Sequence, residues 1–315
     1  MSGHQRRERL RYPAAAPFTR RPVYPGRRYG RRLMNTILVI TRLTFREAVR
    51  RKIALAALLL GIAFLVIYSL GFHFINDEIS ADAGRMGSRI EQMRREVYNF
   101  LVLAGMYVVN FLGVASAALI TADSLAGEIQ SGTIQAIVTK PILRSQVVVG
   151  KWLGYAILLM GYLLLMGGGV IVSVWLLARY SPPNGLAGLS MIYFNSLVIM
   201  TLTLAFSSRF STLATGGAVF GAYGVAFIGG WVERIGTALN NETAVNLGIF
   251  SSLLLPSEAL WNKAAFLMAS PLAGRIDANP FTTASQPSNV MMGYAVLYLI
   301  IFLGIALRQF QQRDL

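Results

Sequence analysis

The sequence predicts an all-α integral membrane protein with six transmembrane helices, and three observations predict it. Hydrophobic residues make up 55% of the chain and charged residues 14%, against about 25% charged in a soluble domain. Six apolar runs are long enough to cross a bilayer. Lysine and arginine are spread unevenly between those runs, with 21 of the 29 on one alternating set of connecting segments, which places both termini inside (N-in, C-in). The net charge of +15 would point to nucleic acid in a soluble chain. Here orientation accounts for it, and no nucleic-acid partner is predicted. Cysteine is absent, which excludes a disulfide framework and thiolate chemistry.

Residues 1–33 are predicted to be a disordered basic tail, with ten arginines in RRERLRYPAAAPFTRRPVYPGRRYGRR and almost nothing to build a core from. Such arginines favour an anionic membrane face by roughly 1 kcal/mol each. Met34 opens a segment, MNTILVITRLTFREAVRRK, that also reads as a natural N-terminus. Residues 34–315 form the six-span domain. From Leu33 to Lys52, Leu33, Ile37, Ile40, Leu43 and Ala48 recur at helical spacing, with Arg42, Arg46, Arg50 and Arg51 between them. That pattern predicts an amphipathic helix in the headgroup layer, or an inner extension of the first span.

Span 1 is about Ile53–Gly71, flanked by RRK. His73–Asn99 reads as an outer loop with a short helix over Met86–Tyr98, and His73 as an interfacial polar residue. Span 2 is about Phe100–Ala122 and span 3 about Trp152–Ala178. SPPNG at Ser181–Gly185 is an outer turn. Span 4 is about Met191–Ser207, SSRFST makes an inner turn around Arg209, and span 5 is about Leu213–Trp231. In the outer segment Val232–Asn289, the run SSLLLPSEALWNKAAFLMAS is too short and broken to span. It predicts one or two amphipathic helices resting on the outer surface. Span 6 is about Val290–Leu307, with RQFQQRDL inside.

Catalytic signatures are missing. Gly150-Lys151 is followed by Trp152, and Ser145 stands where a phosphate loop has its first glycine. HExxH and GxSxG are absent, and His4 and His73 lie far apart. No catalytic residue, metal site or resident cofactor is therefore predicted in this chain. Asn110 and Asn195 are isolated intramembrane amides, expected to bond across helices. No span has a central Asp, Glu, Lys or Arg, which argues against a proton-coupled carrier, an ion channel or an intramembrane enzyme. The energy for any transport must come from outside the chain.

Ala122–Lys151, ADSLAGEIQSGTIQAIVTKPILRSQVVVGK, carries the functional signal. Hydrocarbon charges about 2.5–3.5 kcal/mol for each Asp, Lys or Arg at mid-depth, so this segment is a water-exposed hairpin between spans 2 and 3. Asp123 and Glu128 meet water as span 2 ends. Ser131 can cap a short helix, GTIQAIV. Lys140-Pro141 stops it, and Ser145 can cap the helix that becomes span 3. Two rigid spans joined by a crosswise helix make a lever. Ile134, Ile137 and Val138 offer it an apolar docking edge, and Glu128, Gln130, Thr133 and Gln135 offer polar contacts. Separately, Gly217, Gly221 and Gly224 put a small-residue face on span 5. It serves close helix packing, either at a seam between copies, with span 1, or within one subunit.

The runs EIQSGTIQ at Glu128–Gln135, KPILRS at Lys140–Ser145 and GKW at Gly150–Trp152 resemble the membrane subunits of type-2 ATP-binding-cassette exporters. That family's pattern here is an acid, Gly-Thr, a short helix, Pro-x-x-Arg and then Gly-Lys before the third span. The resemblance extends over about Met34–Leu315. It implies that Glu128, Gln130, Ser131, Gly132, Thr133, Ile134 and Gln135 form a coupling helix seated in a cleft of a separate ATP-binding subunit, which holds ATP and magnesium. Pro141, Arg144 and Lys151 would shape the hairpin. It further implies a homodimer or heterodimer of permeases among lipids of the plasma membrane, exporting or flipping an amphipathic or lipid-linked solute. An alternative role for the same parts is a mechanical subunit that drives an envelope partner through the outer segment and moves no solute.

Overall fold

The computed structural model describes residues 26–83, 88–130, 143–270 and 288–312, with the side chains of 26–33, 88–92 and 128–130 left out. The described residues are helical, without strands. In chain order the helices are α1 (Gly26–Arg50), α2 (Lys52–Ala83), α3 (Ser88–Gln130), α4 (Arg144–Ala178), α5 (Gly185–Ser207), α6 (Thr212–Ala238), α7 (Glu242–Leu254), α8 (Ser257–Met268) and α9 (Asn289–Gln312). Six of them, α2 to α6 and α9, are long and apolar enough to cross a membrane, and each contains one of the six expected spans.

Two helices form the axis of the bundle. In the most apolar window of α5, 67% of residues are buried, and in that of α3, 61%. In α2 only 6% are, so Leu55, Leu59, Leu60 and Ile67 point outward, an apolar surface suited to lipid or to another helix. The two intramembrane amides meet between the axial helices: Asn195 Nδ2 donates to Asn110 Oδ1 at 2.9 Å, the cross-helix bond expected of them. Turn chemistry agrees at both ends of α5. Asn184, in the SPPNG turn, takes the left-handed conformation (φ 48°) just before the helix, and the SSRFST turn leads to Ser211, whose side chain caps α6 at Ala214 N.

Four expectations need correction. First, the helix meant to begin near Leu33 starts at Gly26. Arginine is a good helix former, so Arg27, Arg28, Arg31 and Arg32 extend α1 into the stretch expected to be disordered; residues 1–25 lie outside the described residues. Second, His73–Asn99 is not a loop around a short helix, because α2 runs on to Ala83 and α3 already starts at Ser88. The two extensions pack together through Phe72 and Tyr98, and His73 pairs with Asp77 one turn along α2. Third, Ser145 does not cap α4. The helix starts at Arg144, and the Gln146 side chain reaches back to accept from Leu143 N at 3.2 Å.

The fourth correction concerns Val232–Asn289. Pro256, which has no N–H to continue a helix, separates α7 from α8, and the pair is bent by 103°. The second limb does not rest on a surface: Leu260, Trp261, Ala264, Ala265 and Met268 are fully buried. It packs against α5, α6 and α3. Trp261 meets Tyr107 of α3 edge-on at 4.9 Å. Arg234 of α6 donates to Glu258 Oε2 at 3.0 Å and to Asn262 Oδ1 at 2.9 Å, so a buried cation and a buried anion are matched. Residues 271–287 lie outside the described residues.

α1 lies along the first half of α4. A Cβ at Gly150 would stand 2.7 Å from Ile40 Cβ and 3.2 Å from Ile37 O; one at Gly154 would stand 2.8 Å from Thr44 Cβ and 3.0 Å from Thr41 O. These two glycines let the backbones of α1 and α4 approach each other. The packed face of α1 is therefore Ile37, Ile40, Thr41, Thr44 and Ala48, while Leu43, assigned by spacing to the apolar face, is exposed along with Leu38 and Val39.

Candidate functional site

The hairpin between α3 and α4 is the candidate site, and the structure describes its base. Ser131, Gly132, Thr133, Ile134, Gln135 and Pro141 lie outside the described residues. Glu128 and Gln130 fall in the last turn of α3, with only their backbone described. Arg144 and Lys151 open α4.

Four other helices hold the two arms of the hairpin. Arg51, at the break between α1 and α2, donates to Glu47 Oε1 at 2.6 Å and to Asp123 Oδ2 at 2.8 Å. The other oxygen of Asp123 accepts from Thr212 Oγ1, the first residue of α6, at 3.0 Å. Gly127, one turn beyond Asp123, leaves room for this carboxylate, which a Cβ there would strike. Ser207, at the end of α5, accepts from the backbone N–H of Leu125 and Ala126 at 3.0 and 3.2 Å. Burial opposes the charge on Arg51, but the hydrogen bond to Glu47 and the negative groups around it outweigh this and hold its pKa above the ordinary value. Arg51 is thus a permanent cation that fixes Asp123.

The α4 arm is held in the same way. Lys151 is buried (3% exposed), and its Nζ donates to Ser124 O across the hairpin at 3.3 Å. Arg144 Nη1 donates to Gln311 O at 3.1 Å. That carbonyl belongs to the last turn of α9, where a helix end favours a cation. Asp123 thus links the α3 arm to the break between α1 and α2 and to the start of α6.

Sequence reasoning singled out the tip and missed most of these links. Arg51 was read as one of several basic flanking residues and Asp123 as a carboxylate meeting water. Their separation of 72 positions carries no local signal. Gly150, which the sequence marks only by its place before Lys151, is a contact point for α1. Gly217, Gly221 and Gly224 meet nothing: a Cβ at any of them would have no heavy atom within 4 Å, so close packing of this face within the chain, one of its two expected uses, does not occur among the described residues. Nor do three or more His, Asp or Glu side chains converge there to hold a metal ion.

Residues 38–315 match the profile of the family described as ABC-2 family transporter protein. No curated protein matches the chain.

Proposed function

Since this chain belongs to the ABC-2 transporter family and is thereby a multi-pass membrane subunit of an ATP-binding-cassette transporter, we propose that its 123–151 hairpin is the point at which a separate ATP-binding subunit moves the bundle. The observation that carries this reading is the joint itself, in which Arg51, Asp123 and Thr212 tie the hairpin to the elbow and to α6. A loop that merely connected two spans would need no such ties. In this account the inner side holds both termini, the hairpin and the Arg209 turn, in agreement with the lysine and arginine distribution. The tip, Glu128 to Gln135, docks in a cleft of the ATPase, which carries the ATP and magnesium. Two permease copies, identical or related, associate in the plasma membrane through the open glycine face of α6 and the exposed face of α2. The solute is amphipathic or lipid-linked.

The mechanical alternative requires the outer segment as a working surface. One part of that segment, α8, is instead buried inside the bundle. α7 exposes Leu247, Phe250 and Leu254, apolar side chains that suit lipid, beside the polar Glu242, Thr243 and Asn246 nearer its start. Solute export is therefore the better-supported reading.

Co-purification and ATP turnover of the reconstituted complex test the proposal. Gly132→Pro and Glu128→Lys should insert normally yet release the ATPase or uncouple it. Wild-type co-purification and turnover in both variants would remove the role assigned to the tip. A lipid or drug that stimulates turnover supports export, whereas strong stimulation only by an envelope protein reverses the preference between the two readings.

A further inference from the structure

α1 has two faces of different character. One is pressed against α4 at Gly150 and Gly154. The other carries Arg42, Arg46 and Arg50, all exposed and spaced so that their side chains form a single ridge. Among the described residues, none of these three side chains makes a hydrogen bond or an ion pair. Glu47, the single acid of α1, is taken by Arg51 at 2.6 Å. Asp123 is shared between Arg51 and Thr212. Like charges at this spacing oppose the helix, and nothing in the described chain offsets them.

The residues beside the ridge are apolar. Val39 and Leu43 flank Arg42 and Arg46 on one side, Phe45 and Val49 on the other, and all four are exposed. A helix face made for water alone would be polar there. The neighbours of α1 fix its level. Its contact points Gly150 and Gly154 straddle Trp152, where the polar hairpin gives way to the apolar run of α4. Arg51 alone separates α1 from α2, and the exposed Ile53, Leu55, Leu58 and Leu59 follow it directly. The ridge therefore stands where water meets hydrocarbon, on whichever side of the membrane that end of the bundle faces.

We propose that this face of α1 is a binding strip selective for anionic phospholipids. Val39, Leu43, Phe45 and Val49 enter the top of the acyl layer. The aliphatic stems of the arginines lie along the same apolar surface and hold the guanidinium groups at the level of the phosphates. Arginine forks match phosphate oxygens. A lipid with net negative charge relieves the repulsion along the ridge, whereas the phosphate of a zwitterionic lipid is already balanced by its own amine. The selectivity goes beyond a position in the headgroup layer, which an uncharged amphipathic helix would share. The strip needs no ATP-binding partner and no particular solute, so it stands apart from the function proposed for the hairpin.

The chain has no cysteine, so Leu43→Cys provides a single attachment point for a fluorescent label, and Leu59→Cys, on the outward face of α2, provides a control. Either labelled full-length protein is placed in nanodiscs of equal phosphatidylcholine and phosphatidylglycerol, with one of the two lipids brominated near the top of its acyl chains. At position 43, quenching should report phosphatidylglycerol enriched about fivefold over phosphatidylcholine. At position 59 the two lipids should quench alike. In R42Q/R46Q/R50Q, the enrichment at position 43 should fall below about twofold. Thermal unfolding of this variant should match the wild type, because the three side chains hold no partner among the described residues. Should it fail to fold, Arg46→Gln alone must still lower the enrichment. Equal quenching by the two lipids at position 43, or quenching by neither, overturns the proposal. So does the same excess at position 59. An enrichment that survives the arginine substitutions belongs to the basic residues before Met34 and overturns it as well.

Discussion

Two glycine stripes in this protein share a helix-packing signature and stand in opposite states. On α4, Gly150 and Gly154 are pressed against Ile37, Ile40, Thr41 and Thr44 of α1. On α6, Gly217, Gly221 and Gly224 have no neighbour within reach of an added Cβ. Small residues in membrane helices permit backbone approach, but they do not say whose backbone approaches. For α4 the answer lies in the same chain. For α6 the described residues supply none, and the C-terminal half of the same helix makes the contrast sharper: Gly229, Gly230 and Gly236 are already covered by Ser251, Glu258 and Ala244.

The largest expected effect comes from filling the occupied stripe. Gly154→Leu pushes side-chain atoms into a space bounded by backbone as well as side chains. Overpacking costs about 1–3 kcal/mol, and this site should lie at the upper end. Thermal unfolding of the purified protein should fall by several degrees, with a lower yield of folded chain; unchanged stability would mean that α1 does not lie on α4. Next is Gly221→Leu. The isolated chain should unfold as wild type does, yet if α6 is a seam between copies, native mass spectrometry should show association weakened by about 1–3 kcal/mol. Undisturbed association would assign this face to lipid.

Arg51→Gln tests the tie between α1 and the hairpin. Its carboxylate partners are partly exposed, so the stability cost should be only about 1 kcal/mol. ATP turnover in the reconstituted complex should persist while its stimulation by solute drops. Retention of full stimulation would show that the joint transmits nothing. The smallest effect is expected at Gly217→Ala, where a helical glycine in open space is replaced by a better helix former. A gain of about 0.5 kcal/mol, read as a slightly higher unfolding temperature of the monomer, would complete the contrast with Gly154.

The six spans were legible because each is a long apolar run, and lipid leaves the backbone within it no partner but its own helix. The Asn110–Asn195 bond was half legible: an amide in hydrocarbon needs a partner, though its identity depends on how α3 and α5 rotate against each other. The burial of α8 was hidden because length was the criterion, and a twelve-residue helix fails it whether it rests on a surface or plugs a bundle. Glu258 and Arg234 were the overlooked hint, since each lies beside apolar sequence that would otherwise strand a charge. The joint at Asp123 was least legible of all. Arg51, Asp123 and Thr212 are brought together only by the complete fold.

One rod carries both ends of the machine. α3 has 43 residues, roughly 65 Å at 1.5 Å per residue, about twice the thickness of the bilayer's hydrocarbon core. Arg94, Arg95 and Tyr98 ride near its first end, Asp123 and Ser124 near its last. A tilt of about 5° sweeps one end by roughly 5 Å relative to the other, more than the reach of a hydrogen bond. A displacement at Asp123 is therefore also a displacement at Arg94, near the other end of the same helix.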